Sequence, residues 1–255
     1  MIFKKITKYK TIYGSLIILI FWYALHFIFK STIIPSPHIT IYEFFILIKG
    51  KLLIHILVSL FRILIAVIIS LIIGMSVGLF LGLNKKYDKY ISPMIYLLYP
   101  IPKIAFLPIL MIIFGLGNTS KIILITIIIL FQILVTTRDS VKGLSKELFY
   151  SIKSLGANKI QIYRHLIIPA VFPKLLTSLR ISIGTSIAVL FFAENFATRY
   201  GIGYFIMDSW ARVDYIQMFA GILAISFLGL LIFKLIDLLE DKLCKWIKLE
   251  KLEQK

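Results

Sequence analysis

Five polar side chains fall in stretches built otherwise from Leu, Ile, Val and Phe: Arg62, Lys103, Gln132, Glu194 and Asn195. An ionisable group in hydrocarbon costs about 3 kcal/mol or more, so it persists where it pairs, lines a watery path or moves charge. Arg62 and Glu194 fall at similar depth near the same membrane face, and we expect them to pair, as a structural bridge or as a gate. Lys103 stands among Pro100, Pro102 and Pro108, in backbone tolerated at membrane depth only beside a cavity or other protein. It either meets an anionic solute or snorkels toward headgroups. Gln132 and Asn195 are further candidates for the translocation path. No catalytic constellation accompanies them. His26, His38, His55 and His165 are scattered without ligand spacing, and each is expected at an interface or surface. Cys244 is the only cysteine, which excludes an internal disulfide and a cysteine metal cluster. No G-x-x-x-x-G-K-[ST] phosphate loop occurs, so the expected chemistry is passage rather than reaction, with no cofactor bound by this chain.

Such residues must be positioned by membrane helices. The 255-residue chain is 60% hydrophobic and 16% charged, with mean hydropathy +0.95, the composition of an integral membrane protein. Hydrocarbon about 30 Å thick takes roughly 20 residues of helix. Stretches at about 11–29, 57–82, 93–115, 120–138, 177–198 and 216–238 qualify. The predicted fold class is therefore all-α, a polytopic bundle of six transmembrane helices, with the third kinked or interrupted by its prolines. The lysines before Thr11 resemble a signal peptide, but the run to Phe29 is long and aromatic with no small-x-small site after it, and reads as a retained span. In the second span Ser70, Gly74, Gly78 and Gly82 recur every fourth residue, a face stripped of bulk for helix packing.

The net charge of +17 arises from 29 Lys and Arg against 12 Asp and Glu. In a membrane chain this excess marks cytoplasmic loops and contact with the lipid bilayer rather than nucleic acid. With the N-terminus inside, Lys4, Lys5, Lys8, Lys10, Lys85, Lys86, Lys89 and the basic residues from Arg138 to Lys174 and from Lys242 to Lys255 are cytoplasmic. Only Lys30, Lys49, Lys51, Lys121, Arg199 and Arg212 are then outside. Both termini are expected in the cytoplasm of a multi-pass cell-membrane protein. The expected organisation is a cytoplasmic segment over 1–10, one membrane domain over 11–240 and a basic tail over 241–255. Externally, Phe44, Phe45, Leu47 and Ile48 suggest a short interfacial helix.

Between the fourth and fifth spans, a loop of about 139–175 carries "SLGANKIQIYRHLIIPAVFP" (154–173). Leu148, Ile152 and Leu155 form a narrow apolar stripe on a charged helix. Gly156 supplies a left-handed residue to close it. Asn158 with Gln161 is a capping-box variant opening a second helix, whose apolar positions are Ile162, Tyr163, Leu166 and Ile167. Pro169 and Pro173 are expected to end it.

The order Gly156, nine residues, Leu166, one residue, Ile168, Pro169 resembles the "EAA" loop of permease subunits of binding-protein-dependent ABC importers, EAA-x3-G-x9-I-x-L-P. Tyr150, Ser151 and Ile152 stand where the family has Glu-Ala-Ala. "IPSPHITIYEFFILIKGKLLIHILVSLFRI" (34–63), "PIPKIAFLPILMIIFGLGNTSKI" (100–122) and "AENFATRYGIGYFI" (193–206) resemble the sulfonate, nitrate, taurine and thiamine-precursor branch. The resemblance covers roughly 33–240. It implies that the elbow is a cytoplasmic coupling helix between helices four and five, with Leu155, Gly156, Ala157, Asn158, Gln161, Tyr163, Leu166 and Pro169 contacting a separate ABC ATPase subunit. It further implies ATP and Mg2+ on that partner, a homodimer of this chain, and an extracytoplasmic solute-binding protein docking near "YGIGYFIMDSWARVDYIQMF" (200–219). Two other readings compete: a membrane-embedded enzyme, which wants a His/Asp/Glu or Ser/His cluster at one face, and a secondary transporter, which ordinarily shows internal repeats. Neither feature is visible.

Overall fold

The computed structural model describes residues 2–29, 33–244 and 246. Lys30, Lys245, Lys248, Lys251 and Lys255 of the expected basic set, and the side chains of Lys4, Lys5, Lys8 and Lys10, lie outside the described residues. Every regular element described is helical: α1 (Ile2–Phe29), α2 (Pro37–Ile48), α3 (Lys51–Leu83), α4 (Lys85–Leu98), a 3-10 turn (Lys103–Phe106), α5 (Leu107–Phe114), α6 (Asn118–Lys142), α7 (Lys146–Ser154), α8 (Lys159–Ile162), a π turn (Tyr163–Ile167), α9 (Ile168–Glu194), α10 (Ile202–Ala211) and α11 (Tyr215–Leu243). Helix is forced where hydrocarbon offers no water to the backbone, because each N–H must then bond within its own segment.

Five described segments are long and apolar enough to span a membrane: Ile12–Phe29, α3, α6, Lys159–Glu194 and α11. The expected third span is interrupted, as its prolines imply: α4 and the 3-10 turn with α5 are together long and apolar enough for a sixth span but are bent by 82°. Pro100 and Pro102 explain the break. Each lacks an N–H; Tyr99 before Pro100 keeps helical angles (φ −61°, ψ −47°), and the chain turns extended at Pro102 (φ −68°, ψ 95°). Pro108 falls in the first turn of α5, where a missing N–H is harmless. Eight residues of α5 reach only about 12 Å.

The chain divides into two compact units, one of residues 1–58 and 199–226, the other of residues 59–198 and 227–255. In the first, Trp22 stacks on Phe219 and its indole N–H donates to Pro35 O at 3.2 Å. The predicted interfacial helix is α2; it buries Phe44 and Leu47 and exposes Phe45. His55 departs from its expected surface role. It is buried, stacked on Tyr204, and its Nδ1 accepts from the Gly201 N–H at 3.1 Å.

In the second unit the small-residue face of α3 lies on α6. A Cβ added at Gly74 would come within 3.1 Å of Leu130 O, at Gly78 within 2.7 Å of Leu134 O, and at Gly82 within 2.7 Å of the Val141 Cβ. Ser70 Oγ donates to Thr126 O at 2.9 Å across the same contact. Glycine allows the two backbones to touch where any larger side chain would hold them apart.

The loop between α6 and α9 differs from expectation in two ways. Its second helix does not stop at Pro169 or Pro173: α8 runs through the π turn into α9, continuous to Glu194. A π turn bonds i to i+5 in place of i to i+4, and Pro169 stands in the first turn of α9, where a missing N–H breaks no required bond. The anticipated stripe also splits. Ile152, with Phe149, packs on a core of Leu79, Val141, Ile162, Ile167 and Val171, whereas Leu155 is 85% exposed.

Candidate functional site

Three features of the second unit bear on function. The first is a buried polar cluster where alternate helix ends meet. Arg62 Nη1 donates to Glu194 Oε1 at 2.6 Å, with the side chains 2% and 0% exposed. Ser59, three residues before Arg62 and therefore on the same helix face, donates its hydroxyl to both Glu194 oxygens at 2.8 and 3.0 Å. The guanidinium also donates to Asn118 Oδ1 from Nε at 3.0 Å and from Nη2 at 2.8 Å, and to Thr198 Oγ1 at 3.4 Å. Glu194 ends α9, where the helix dipole disfavours an anion, so an adjoining cation is needed electrostatically.

Lys121 completes this cluster and was not a sequence candidate; the orientation argument set it in an external loop. It is fully buried, and its Nζ donates to Leu116 O and Gly117 O at 3.0 and 3.3 Å. Its only sequence signal is its place one helical turn after Asn118. The Lys121 ammonium lies within electrostatic reach of both Arg62 and Glu194. Asn195 caps the end of α9 beside them.

The second feature is the break in the expected third span. Tyr99, Pro100, Ile101 and Pro102 are all exposed. Lys103 turns back toward them: its ammonium donates to Tyr99 O and lies 5.2 Å from the Tyr99 ring centroid and 5.1 Å from that of Phe131. On one side is a cavity of about 890 Å³ whose wall includes Asp88, Ser92, Tyr96, Tyr99, Pro100 and Arg138. On the other, Ile104 and Ala105 join Met111, Ile112, Phe192 and Phe196 around an apolar cavity of about 680 Å³. Gln132, beside Phe131 on α6, is half-buried. The first cavity carries an acid that sequence reasoning passed over: Asp88 accepts from Ser92 and from Lys142, each at 2.6 Å.

The third feature is the elbow. Gly156 adopts φ +77°, and its N–H returns to Lys153 O at 2.9 Å. Asn158 and Gln161 form the reciprocal capping box, at 2.8 and 2.9 Å. Leu155, Gly156, Asn158 and Gln161 are exposed, while Ala157, Tyr163 and Leu166 pack on the core beneath. Pro169 is half-buried. Ile160 and Tyr150, 78% and 67% exposed, extend the apolar rim. The elbow is anchored from below and open above, where Tyr150, Leu155 and Ile160 are uncovered.

Residues 70–246 match the family described as binding-protein-dependent transport system inner membrane component. A Bacillus subtilis (strain 168) protein named as an aliphatic sulfonates transport permease is 28% identical over 218 residues, covering 85% of this chain and 79% of that one. The taurine transport system permease protein of Escherichia coli (strain K12) is 31% identical over 61% of this chain and 57% of its own. The formylaminopyrimidine transport permease protein of Halalkalibacterium halodurans is 32% identical over 65% of this chain and 66% of its own. The chain thus spans somewhat under two thirds of the length of the latter two. Among solved structures, a chain of the methionine ABC transporter MetNI in an inward-facing form aligns with TM-score 0.62 and 19% identity, covering 77% of this chain and 95% of that one. At that identity the likeness speaks to the fold alone.

Proposed function

Because the chain belongs to the binding-protein-dependent transport system inner membrane components, we propose that it forms the solute path of an ABC importer as one of two identical permease subunits. It is a permease and not an ATPase; hydrolysis is done by a separate subunit. The elbow carries this reading. Leu155, Gly156, Asn158 and Gln161 offer an exposed edge that an ATPase groove can grip. The half-buried Ala157, Tyr163 and Leu166, packed on the core beneath, transmit its displacement to the spans as a rigid body. Asn158 and Gln161 hold the tip in shape, so force is not lost in fraying.

Both termini and the elbow face the cytoplasm in this reading, by the basic-residue bias, and ATP with its Mg2+ stays on the partner. An extracytoplasmic binding protein delivers solute at the opposite face. The homodimer is supported by the exposed break at 99–102. Irregular backbone cannot face lipid tails, so another protein surface or a watery space must cover it. Arg62 and Glu194, with Asn195, close the outer end, and Lys103 and Gln132 line the path. The solute belongs to the sulfonate, nitrate, taurine or thiamine-precursor class that the resemblance implies; the relatives' names include aliphatic sulfonates, taurine and formylaminopyrimidine.

The test is reconstitution of the permease with its ATPase subunit and binding protein in proteoliposomes. ATP inside the ATPase compartment should drive uptake, and omission of the ATPase should abolish it. Uptake that continues without the ATPase, driven by an ion gradient, would overturn the proposal.

A further inference from the structure

Arg62, Lys142 and Arg180 each face a carboxylate: Glu194, Asp88, and the pair Asp237 and Glu240. Lys121 is fully enclosed. Lys103 has no carboxylate within ion-pair distance among the described residues, and it is half-exposed. What holds its ammonium is one backbone carbonyl, on Tyr99, and the faces of two rings.

Rings and a carbonyl steady an ammonium without neutralising it. The positive charge therefore remains available at a point where the backbone is broken and cannot face lipid. A carboxylate in the same place would cancel the charge and repel an incoming anion. A permanent strong site would also be wrong for a path, since passage needs binding firm enough to admit a solute and loose enough to release it. A weakly held, exchangeable ammonium meets both conditions.

The geometry points to Lys103 as the residue that selects for negative charge in the solute during transit. Its ammonium would leave the Tyr99 carbonyl for a passing oxyanion and return once the solute has gone. The apolar cavity that begins at Ile104 and Ala105 would receive the solute's uncharged part. This inference rests on the permease reading above.

The test uses the complete reconstituted transporter with labelled ethanesulfonate as the anionic probe and formylaminopyrimidine as the uncharged one. Wild type should take up ethanesulfonate. Lys103→Gln should lower that uptake at least tenfold, chiefly through a raised KM, Lys103→Glu should lower it further, and Lys103→Arg should stay within threefold of wild type. Copurification of the ATPase subunit with every variant establishes assembly. Ethanesulfonate uptake by Lys103→Gln within twofold of wild type overturns the inference. So does Lys103→Arg failing as badly as Lys103→Gln, which would mark a packing role, or wild type carrying the pyrimidine alone. In those three cases ATP-driven uptake persists and the permease reading stands. Absence of ATP-driven uptake of ethanesulfonate by an assembled wild-type complex overturns the inference, whereas uptake that continues without the ATPase overturns the permease reading.

Discussion

Arg62 Nη1 and Glu194 Oε1 lie 2.6 Å apart, joining the early part of α3 to the last residue of α9 with almost no exposure of either side chain. A buried ion pair is not in itself a large source of stability, because desolvation offsets most of the attraction, but removing one partner strands the other. Lys121 makes the two partners unequal. Loss of Arg62 leaves Glu194 with the Lys121 cation still nearby, whereas loss of Glu194 takes from both cations the carboxylate they face. Glu194→Gln should therefore destabilise more than Arg62→Gln, each by roughly 3–5 kcal/mol at most. The double variant should cost less than the two single losses combined. Thermal unfolding of detergent-purified protein checks this, and equal or reversed single effects would remove the role given to Lys121.

The α3–α6 contact predicts a sharp difference between glycines. A methyl at Gly78 meets the backbone oxygen of Leu134 at 2.7 Å, and backbone cannot rotate away. Gly78→Ala should cost about 1–3 kcal/mol, the range for overpacked sites. Gly14, with nothing within 4 Å of the added carbon, should tolerate alanine or gain up to about 1 kcal/mol from helix propensity. Parallel melts of the two variants decide it.

At Gly156 the constraint is conformational only. Its φ is +77° and a Cβ would meet nothing within 4 Å. Gly156→Asn should be nearly neutral because asparagine enters the left-handed region readily, while Gly156→Val should cost about 1–2 kcal/mol locally and weaken ATPase copurification. Membrane insertion should be unaffected. If valine and asparagine copurify the ATPase equally, the shape of the turn does not matter for docking.

Glu147 sets a pH dependence for α7. Its carboxyl lies near its own backbone N–H and the Ser145 hydroxyl, whose attraction holds its pKa below the ordinary carboxylate value. A depressed folded-state pKa contributes stability that is present above the unfolded value of about 4.5 and fades as pH falls through the lower folded value. Proteolysis at the elbow should therefore accelerate as pH drops below about 4.5, with a protease active in acid. Glu147→Gln should flatten that dependence; an unchanged profile would remove Glu147 from it.

The sequence by itself determined the helical membrane class, because runs of apolar residues of bilayer length admit no other backbone solution among helices and leave periodicity easy to read. It also determined the elbow's glycine turn and capping box, which are contacts between residues three or four apart, and it indicated that Arg62 and Glu194 should seek each other. Local spacing carries such information directly. Tertiary structure alone decided the rest. Only packing shows that Ser70, Gly74, Gly78 and Gly82 face α6, that Phe149 rather than Leu155 turns inward, and that a π turn lets the elbow's second helix run through two prolines into α9. Only it buries Lys121, counted outside by charge bias, within electrostatic reach of Arg62 and Glu194. These outcomes depend on which distant surfaces meet, and a charge or a proline has one meaning when read along the chain and another once a neighbouring helix supplies its partner or its space.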